Sequence, residues 1–273
     1  MDSFFEHGNS PLDVVSYGIF YIRFYVLSMM KIVYLIYIYV LVLEELFLLY
    51  VTGDLHGEYS KLERLKFKED DTLIVCGDFG FIWSGDKHEN KVIKKISKLP
   101  FKILFVDGTH ENFELLKDFP LEDFAEGTAR RIGKNIYQLL RGGIYTLEGK
   151  TFFTFGGGES PDKDVRQSCD KYWEEELPNI DEMKFAVSNL NKIDRKVDYI
   201  ITHEPPAKIK GLFCGKTDDI NTLNRYFDDV AANVECKKWF FGSVHRDRKI
   251  APKYIAVFNS IIKLSMEETV CNQ

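Results

Sequence analysis

Phe47-Leu48-Leu49-Tyr50-Val51-Thr52-Gly53-Asp54-Leu55-His56-Gly57 passes from a short apolar run straight into Gly-Asp-x-His-Gly. A run of apolar and β-branched residues that ends on glycine predicts a strand stopping at a sharp turn. That turn carries a carboxylate and an imidazole two residues apart. The pattern recurs along the chain. Thr72 to Cys76 ends in Gly77-Asp78, and Phe101 to Val106 ends in Asp107-Gly108-Thr109-His110-Glu111. Tyr199 to Thr202 leads into His203-Glu204-Pro205-Pro206, and Lys238 to Phe241 leads into Gly242-Ser243-Val244-His245. In open α/β sheets ligands gather beyond the carboxyl ends of the strands, so residues far apart in sequence converge there. Asp and neutral His are the ligands expected of hydrolytic sites for Mn, Fe, Zn and similar ions.

Each motif alone has a plainer explanation. Asp54 reads as a helix cap, Asp78 as a strand-end turn residue and His203 as a loop histidine. His245 reads as part of a surface ion cluster with Arg246 and Asp247. Five such motifs in series argue for one shared site.

The remaining pattern is regular α/β. Asn135 to Leu140, Ile144 to Leu147, Thr151 to Phe155 and Tyr254 to Phe258 read as further strands, with a hairpin turn at Glu148-Gly149-Lys150. Helical spacing runs over Glu89 to Leu99, Asp181 to Lys192 and Asn221 to Asn233, the last with Leu223, Phe227 and Val230 inward. No repeat and no low-complexity linker divides this region. One domain from 47 to 265 is predicted, with a short tail over 266–273.

The net charge of −6 opposes a surface built for non-specific contact with nucleic-acid backbones, and no nucleic-acid signature is present. The lysines between Lys91 and Lys102 read as the solvated face of a helix whose inner face carries Val92, Ile93, Ile96 and Leu99. Five scattered cysteines without a Cys-x-x-Cys pair point to reduced thiols in a cytoplasmic setting, Cys76 among them as a core residue. Residues 1–46 differ in character. From Val14 to Leu43 the chain is nearly all Ile, Val, Leu, Tyr and Phe, with Arg23 and Lys31 the charges inside it. Residues 14–43 read as an upstream extension without a folded role, as a membrane anchor that leaves the catalytic domain in the cytoplasm, or as an apolar helix packed on the domain.

The series Gly-Asp-x-His-Gly, Gly-Asp, Gly-x-His-Glu, Thr-His-x-Pro-Pro and Gly-x-x-His resembles the calcineurin-like metallophosphoesterase superfamily over about Phe47 to Leu264. Gly80-Phe81-Ile82-Trp83, His110-Glu111-Asn112-Phe113 and Phe155-Gly156-Gly157-Gly158 are similar to its small bacterial and phage-type members. The resemblance implies a four-layer αββα sandwich and two divalent metal ions bridged by a carboxylate. Asp54, His56 and His245 would hold the first ion, Asp78 would bridge, and His203 would hold the second. His110 would assist the leaving group. The implied activity is hydrolysis of a phosphate monoester or diester by metal-activated water. Manganese leads among the implied ions, with Fe, Zn, Ni and Co as alternatives.

Two residues depart from the pattern. Thr109 stands where the family usually has Asn, and Ser243 where it has His. Both would be ligands of the second ion, so one tight site and one weak site are expected, with the two hydroxyls offering weak metal or water contacts. The same departures support an alternative: a phosphoesterase-fold binding or regulatory protein with little catalysis. Arg141 and Arg166 are candidate phosphate partners, although an ordinary ion pair is the commoner fate of an arginine. Glu159, Ser160 and Asp162 are candidates for the pocket rim. His7 and His88 read as surface residues, and Trp83, Trp173 and Trp239 as core or rim. The loops Phe79 to His88, Gly156 to Trp173 and Pro205 to Thr217 would set specificity, but they carry no signature for a particular substrate.

Overall fold

The computed structural model describes residues 25–36, 48–213 and 220–264. Contacts divide the chain into two units, Met1–Leu46 and Phe47–Gln273. In the first unit residues 25–36 form a helix, α1, whose apolar side chains, Val26, Met30 and Val33 among them, are exposed. Among the described residues no helix is long and apolar enough to cross a membrane. The rest of the expected 14–43 segment, and His7, lie outside the described residues.

The second unit is built on two sheets. The first contains β1 (Leu49–Thr52), β2 (Thr72–Val75), β3 (Lys102–Phe105), β4 (Leu121–Phe124), β5 (Gly127–Arg131), β6 (Ile136–Leu139) and β13 (Ile262–Leu264), in the order β13-β1-β2-β3-β6-β5-β4. The second contains β7 (Gly143–Leu147), β8 (Lys150–Phe155), β9 (Lys196–Thr202), β10 (Glu235–Phe241), β11 (Arg248–Ile250) and β12 (Tyr254–Ala256), in the order β11-β12-β10-β9-β8-β7. Four neighbouring strands at the centre of each sheet run parallel: β1, β2, β3 and β6 in one, and β12, β10, β9 and β8 in the other. The strands flanking them, β13, β5, β11 and β7, are antiparallel to them, and β4 pairs antiparallel with β5 at the edge of the first sheet.

Strands buried on both faces need apolar residues at every position, which is why the central ones read as continuous runs. The alternation then divides them between layers. Val51, Ile74, Leu104, Ile201 and Phe240 meet in one cluster between the two sheets. Leu73, Val75, Ile103 and Phe105 point the other way, onto α2 (Tyr59–Glu63), α3 (Lys87–Ile96) and α4 (Phe113–Lys117) through Leu62, Ile96 and Leu116. On the far side of the second sheet, Phe153, Ile200 and Trp239 pack on α6 (Ile180–Lys192) and α8 (Thr222–Asn233) through Leu190 and Phe227. The layers are therefore helix, sheet, sheet, helix. α5 (Lys163–Ser168) and α7 (Ala207–Lys210) lie in the connections.

Local signals set the element ends. α6 and α8 each open on a capping box, Asn179 with Glu182 and Asn221 with Asn224. The β7–β8 hairpin turns at Glu148 and Gly149, with φ of 47° and 68°, as a tight two-residue turn requires. The β4–β5 hairpin has no such signal in its sequence. Its turn residues Ala125 and Glu126 adopt φ of 49° and 67° without a glycine or asparagine, and its strands carry charged, partly exposed residues.

Candidate metal centre

Because β1, β2, β3, β9 and β10 are parallel within their sheets, the residues following them share one edge of the sandwich. Asp54 and His56 follow β1, Asp78 follows β2, Thr109 and His110 follow β3, His203 follows β9, and Ser243 and His245 follow β10. The turns are tied to one another. The Asp78 carbonyl accepts from the backbone N–H groups of Leu55 and His56 at 3.0 and 2.9 Å. Oδ1 of Asp78 accepts from the backbone N–H groups of Thr109 and His110 at 2.5 and 2.9 Å. Two glycines are required by space. A Cβ at Gly242 would lie 2.1 Å from Asp54 Oδ1, and one at Gly77 would lie 2.2 Å from His203 Nδ1.

Four of the expected ligands, Asp54, His56, Asp78 and His245, bring one ligand atom each within 4.8 Å of one another. His245 Nε2 lies 2.9 Å from Asp54 Oδ2 and 3.2 Å from His56 Nε2. Both Asp54 oxygens are nevertheless fully buried; Oδ1 has no hydrogen-bond partner, and Oδ2 has only His245 Nε2. A buried carboxylate with an unsatisfied oxygen is costly, and buried charges are ordinarily paired or bound to metal. Two imidazole nitrogens and two carboxylates facing one point match the donor chemistry of a divalent transition ion. The residues fit such an ion.

The fifth expected ligand, His203, stands apart from that group. His203 Nδ1 is 3.2 Å from the Cys76 carbonyl, which suits an Nδ1–H donor and leaves Nε2 facing Asp78 Oδ1 at 3.6 Å. Beside it lie the two residues expected as weak second-ion contacts. Thr109 Oγ1 bonds Asp78 Oδ1 at 3.3 Å and lies 3.3 Å from His110 Nδ1. Ser243 Oγ is buried without a partner.

Burial and neighbouring charges shift the titration of these groups. Burial raises the Asp54 carboxyl above its ordinary value. Burial acts the same way on Asp78, but His203 and His110 outweigh it and hold that carboxyl well below the carboxylate range. Burial lowers His56 to about 4. In His203 burial is opposed by Asp78 and Asp54, which push it up to about 9. The adjoining Asp54 carboxylate raises His245.

His110 is held at Nδ1 by Asp78 Oδ2 at 2.6 Å, and its side chain is 38% exposed, so it stands at the mouth of the cluster. Arg141 is buried and occupied by Asp107, at 2.6 and 2.9 Å, so it serves as an internal ion pair. Of the rim candidates, Ser160 is buried and donates to Glu176 at 2.6 Å, Asp162 pairs with Arg166 at 2.8 Å, and Glu159 is exposed. His88 is exposed, while Trp239 and Cys76 are fully buried.

The sequence reading gave no role to two buried acids. Glu111 accepts from the backbone of Gly80 and Gly108 at 3.2 and 2.7 Å, joining the second and third turns, and its burial raises it to about 8. It lies inside the quoted Gly-x-His-Glu motif, so its position was visible although its role was not. Glu176, in a single 3₁₀ turn, faces Arg166 and carried no sequence signal.

No protein-family model matches the chain. It is 27% identical over 256 residues to an uncharacterised protein of Acanthamoeba polyphaga mimivirus, across 77% of this chain and 86% of that one. Among solved structures it is similar to a protein assigned as a 5'-nucleotidase from Staphylococcus aureus (13% identity, TM-score 0.41, 81% of this chain and 51% of that one). It is also similar to phosphopantetheinyl hydrolase from Mycobacterium tuberculosis (12% identity, TM-score 0.37, 77% and 89%) and to a protein serine/threonine phosphatase from Saccharomyces cerevisiae (15% identity, TM-score 0.36, 78% and 67%). The chain thus spans about half the length of the first of these structures.

Proposed function

We propose that this chain is a metal-dependent phosphoesterase of the calcineurin-like type, from its small bacterial and phage-type branch, hydrolysing a phosphate monoester or diester. The observation that carries this reading is Asp54: a buried carboxylate with Oδ1 unpartnered and Oδ2 met only by His245, its ligand atoms converging with those of His56, Asp78 and His245. Those four residues would hold a divalent ion, manganese first among the candidates. Such an ion supplies Lewis-acid charge at the phosphoryl oxygens and lowers the pKa of a bound water. Asp78 keeps the third turn in place through the Thr109 and His110 backbone and would lie between the two ion positions. His203 is oriented by Cys76 and turns Nε2 toward the second position. His110, exposed at the mouth, would stabilise the leaving oxygen. Thr109 and Ser243 leave the second position short of nitrogen and amide ligands, so it is the weaker of the two.

The test is hydrolysis of p-nitrophenyl phosphate and bis(p-nitrophenyl) phosphate with and without Mn²⁺, comparing wild type with Asp78→Asn and His110→Ala. Metal-dependent turnover is expected, with losses of about 100-fold or more in each variant. A second reading, a ligand-binding or regulatory protein on the same scaffold, is favoured by the Thr109 hydroxyl being engaged by Asp78 and the Ser243 hydroxyl by nothing. Turnover that is absent, or untouched by either substitution, would select that reading.

A further inference from the structure

Arg166 lies on α5, outside the turns that supply the metal ligands, yet it reaches into the site. Only 8% of it is exposed. Its Nη1 donates to the Thr109 carbonyl at 2.6 Å, and its Nη2 lies 3.1 Å from His110 Nε2. The guanidinium rests over the Trp83 ring at 5.4 Å, and the Trp83 ring lies 6.0 Å from that of His110. From behind, Asp162 takes the Nε–H at 2.8 Å, and Glu176, which has no exposed surface, lies 3.5 Å from Nη1.

A guanidinium can only donate hydrogen bonds. Where its N–H meets an imidazole nitrogen, that nitrogen must be the acceptor. His110 Nε2 therefore carries the lone pair, and Nδ1 carries the proton it presents to Asp78 Oδ2 at 2.6 Å. The ring is gripped from both ends, and the backbone just before it is gripped by the same guanidinium. A solvated surface arginine or a plain ion pair would show neither contact. The fork spans a carbonyl and a ring nitrogen at once, which a lysine ammonium cannot reproduce from one point.

We propose that Arg166 is the positioning residue for His110. It holds the imidazole at Nε2, opposite Asp78, and fixes it as the Nδ1–H tautomer at the mouth of the metal centre; neither ring nitrogen then has a proton free, so assistance to a leaving group requires Nε2 to take up a proton and exchange its Arg166 contact for the leaving oxygen. The consequence for turnover rests on the phosphoesterase reading above; the hold on the ring does not. Trp83, Asp162 and Glu176 aim the guanidinium, which gives the Gly156 to Trp173 loop a role in the site besides shaping its rim.

The experiment uses the full chain in two arms. In the first, ¹⁵N-labelled protein without metal is examined by two-bond ¹H–¹⁵N correlation of the imidazoles, with His110 assigned by its loss in His110→Ala. Wild type is expected to show the Nδ1–H pattern, and Arg166→Met a mixture of tautomers. Because removing the cation leaves Glu176 facing an apolar chain, Arg166→Met is also made in a Glu176→Gln background and compared with Glu176→Gln alone. In the second arm, Arg166→Met is expected to lower kcat about tenfold or more with KM within about threefold. The double variant with His110→Ala should be no slower than His110→Ala alone, because the arginine acts through that ring. Arg166→Lys should recover part of kcat. An unchanged tautomer in Arg166→Met, or losses that multiply in the double variant, would overturn the proposal. If no form, wild type included, turns over any ester, the phosphoesterase reading fails while the tautomer measurement still decides the hold on His110.

Discussion

Asp54→Asn should stabilise the metal-free protein and at the same time abolish its stabilisation by metal. Asp54 is fully buried; its Oδ1 has no hydrogen-bond partner, and its Oδ2 has only His245 Nε2. Leaving a buried acceptor unsatisfied costs about 1–3 kcal/mol. Burial raises its pKa above 3.8, so the sign of the linkage is fixed. The contribution of this group to stability is intact at low pH and is lost as pH rises through the raised folded value. At neutral pH the ionised group therefore weighs against the fold. Asparagine keeps the shape, removes the charge, and turns an N–H toward His245 Nε2, which lies 2.9 Å from Oδ2. Relief of about 1–3 kcal/mol in a unit of this size should raise the metal-free Tm by about 2–10 °C. Mn²⁺ at about 100 times its Kd should stabilise wild type by about 2.7 kcal/mol, which is RT ln(1 + [L]/Kd). It should stabilise Asp54→Asn by less than about 1 kcal/mol, since one of its two carboxylates is gone. The assay is thermal unfolding by circular dichroism at pH 7, after chelation and after titration with Mn²⁺, repeated at pH 5 to see the difference narrow. The reasoning is refuted if metal-free Asp54→Asn melts below wild type, or if the two gain equally from Mn²⁺.

Restoring the family ligands with Thr109→Asn and Ser243→His should raise tightly bound metal from about one to about two ions per chain, read by elemental analysis after dialysis. Asp247→Ala should weaken metal binding about three- to tenfold, measured by calorimetry. Its carboxylate accepts from the backbone of Phe258, Asn259 and Ser260, and the Phe258 ring stacks on His245 at 4.9 Å. Gly242→Ala and Gly149→Ala should separate space from backbone strain. The first puts a Cβ 2.1 Å from Asp54 Oδ1 and should abolish metal binding, whereas the second, at φ +68° with nothing within 4 Å, should cost about 1 kcal/mol and leave metal binding intact, read by thermal melts and calorimetry.

The legible parts of this chain are those where one residue type has one physical use. A run such as Leu73-Ile74-Val75-Cys76 has few homes other than a strand buried on both faces, and its ending in Gly77-Asp78 marks the turn. The β4–β5 hairpin was missed because it is an edge hairpin. Its strands can stay charged, and its turn places Ala125 and Glu126 in the left-handed region where glycine would have announced it. β11 and β13 were missed because three residues are too few to show a period. In the site, ligand candidates stood out because they follow strands at once. Arg166 stood out only as a candidate phosphate partner and Glu176 not at all, since an arginine and a glutamate in a charged stretch look solvated until burial forces them to find partners.

Backbone conformation bears separately on the proposed ion positions. His56, Asp78 and His245 hold φ of 50°, 45° and 49°. Residues other than glycine in that region cost of order 1–3 kcal/mol each and persist where the surroundings compel them. The other non-glycine residues with positive φ, such as Ala125, Glu148 and Asp194, sit at turns between elements, where chain reversal alone accounts for them. The three site residues belong, with Asp54, to the group whose ligand atoms converge. Thr109, His203 and Ser243 hold no such conformation. Of the three that do, His56 and His245 belong to the proposed first position alone, while Asp78 would be shared by both. An ion on Asp54, His56, Asp78 and His245 would give the backbone a reason to stay strained, because an ion that binds only the strained arrangement stabilises it by its own binding free energy.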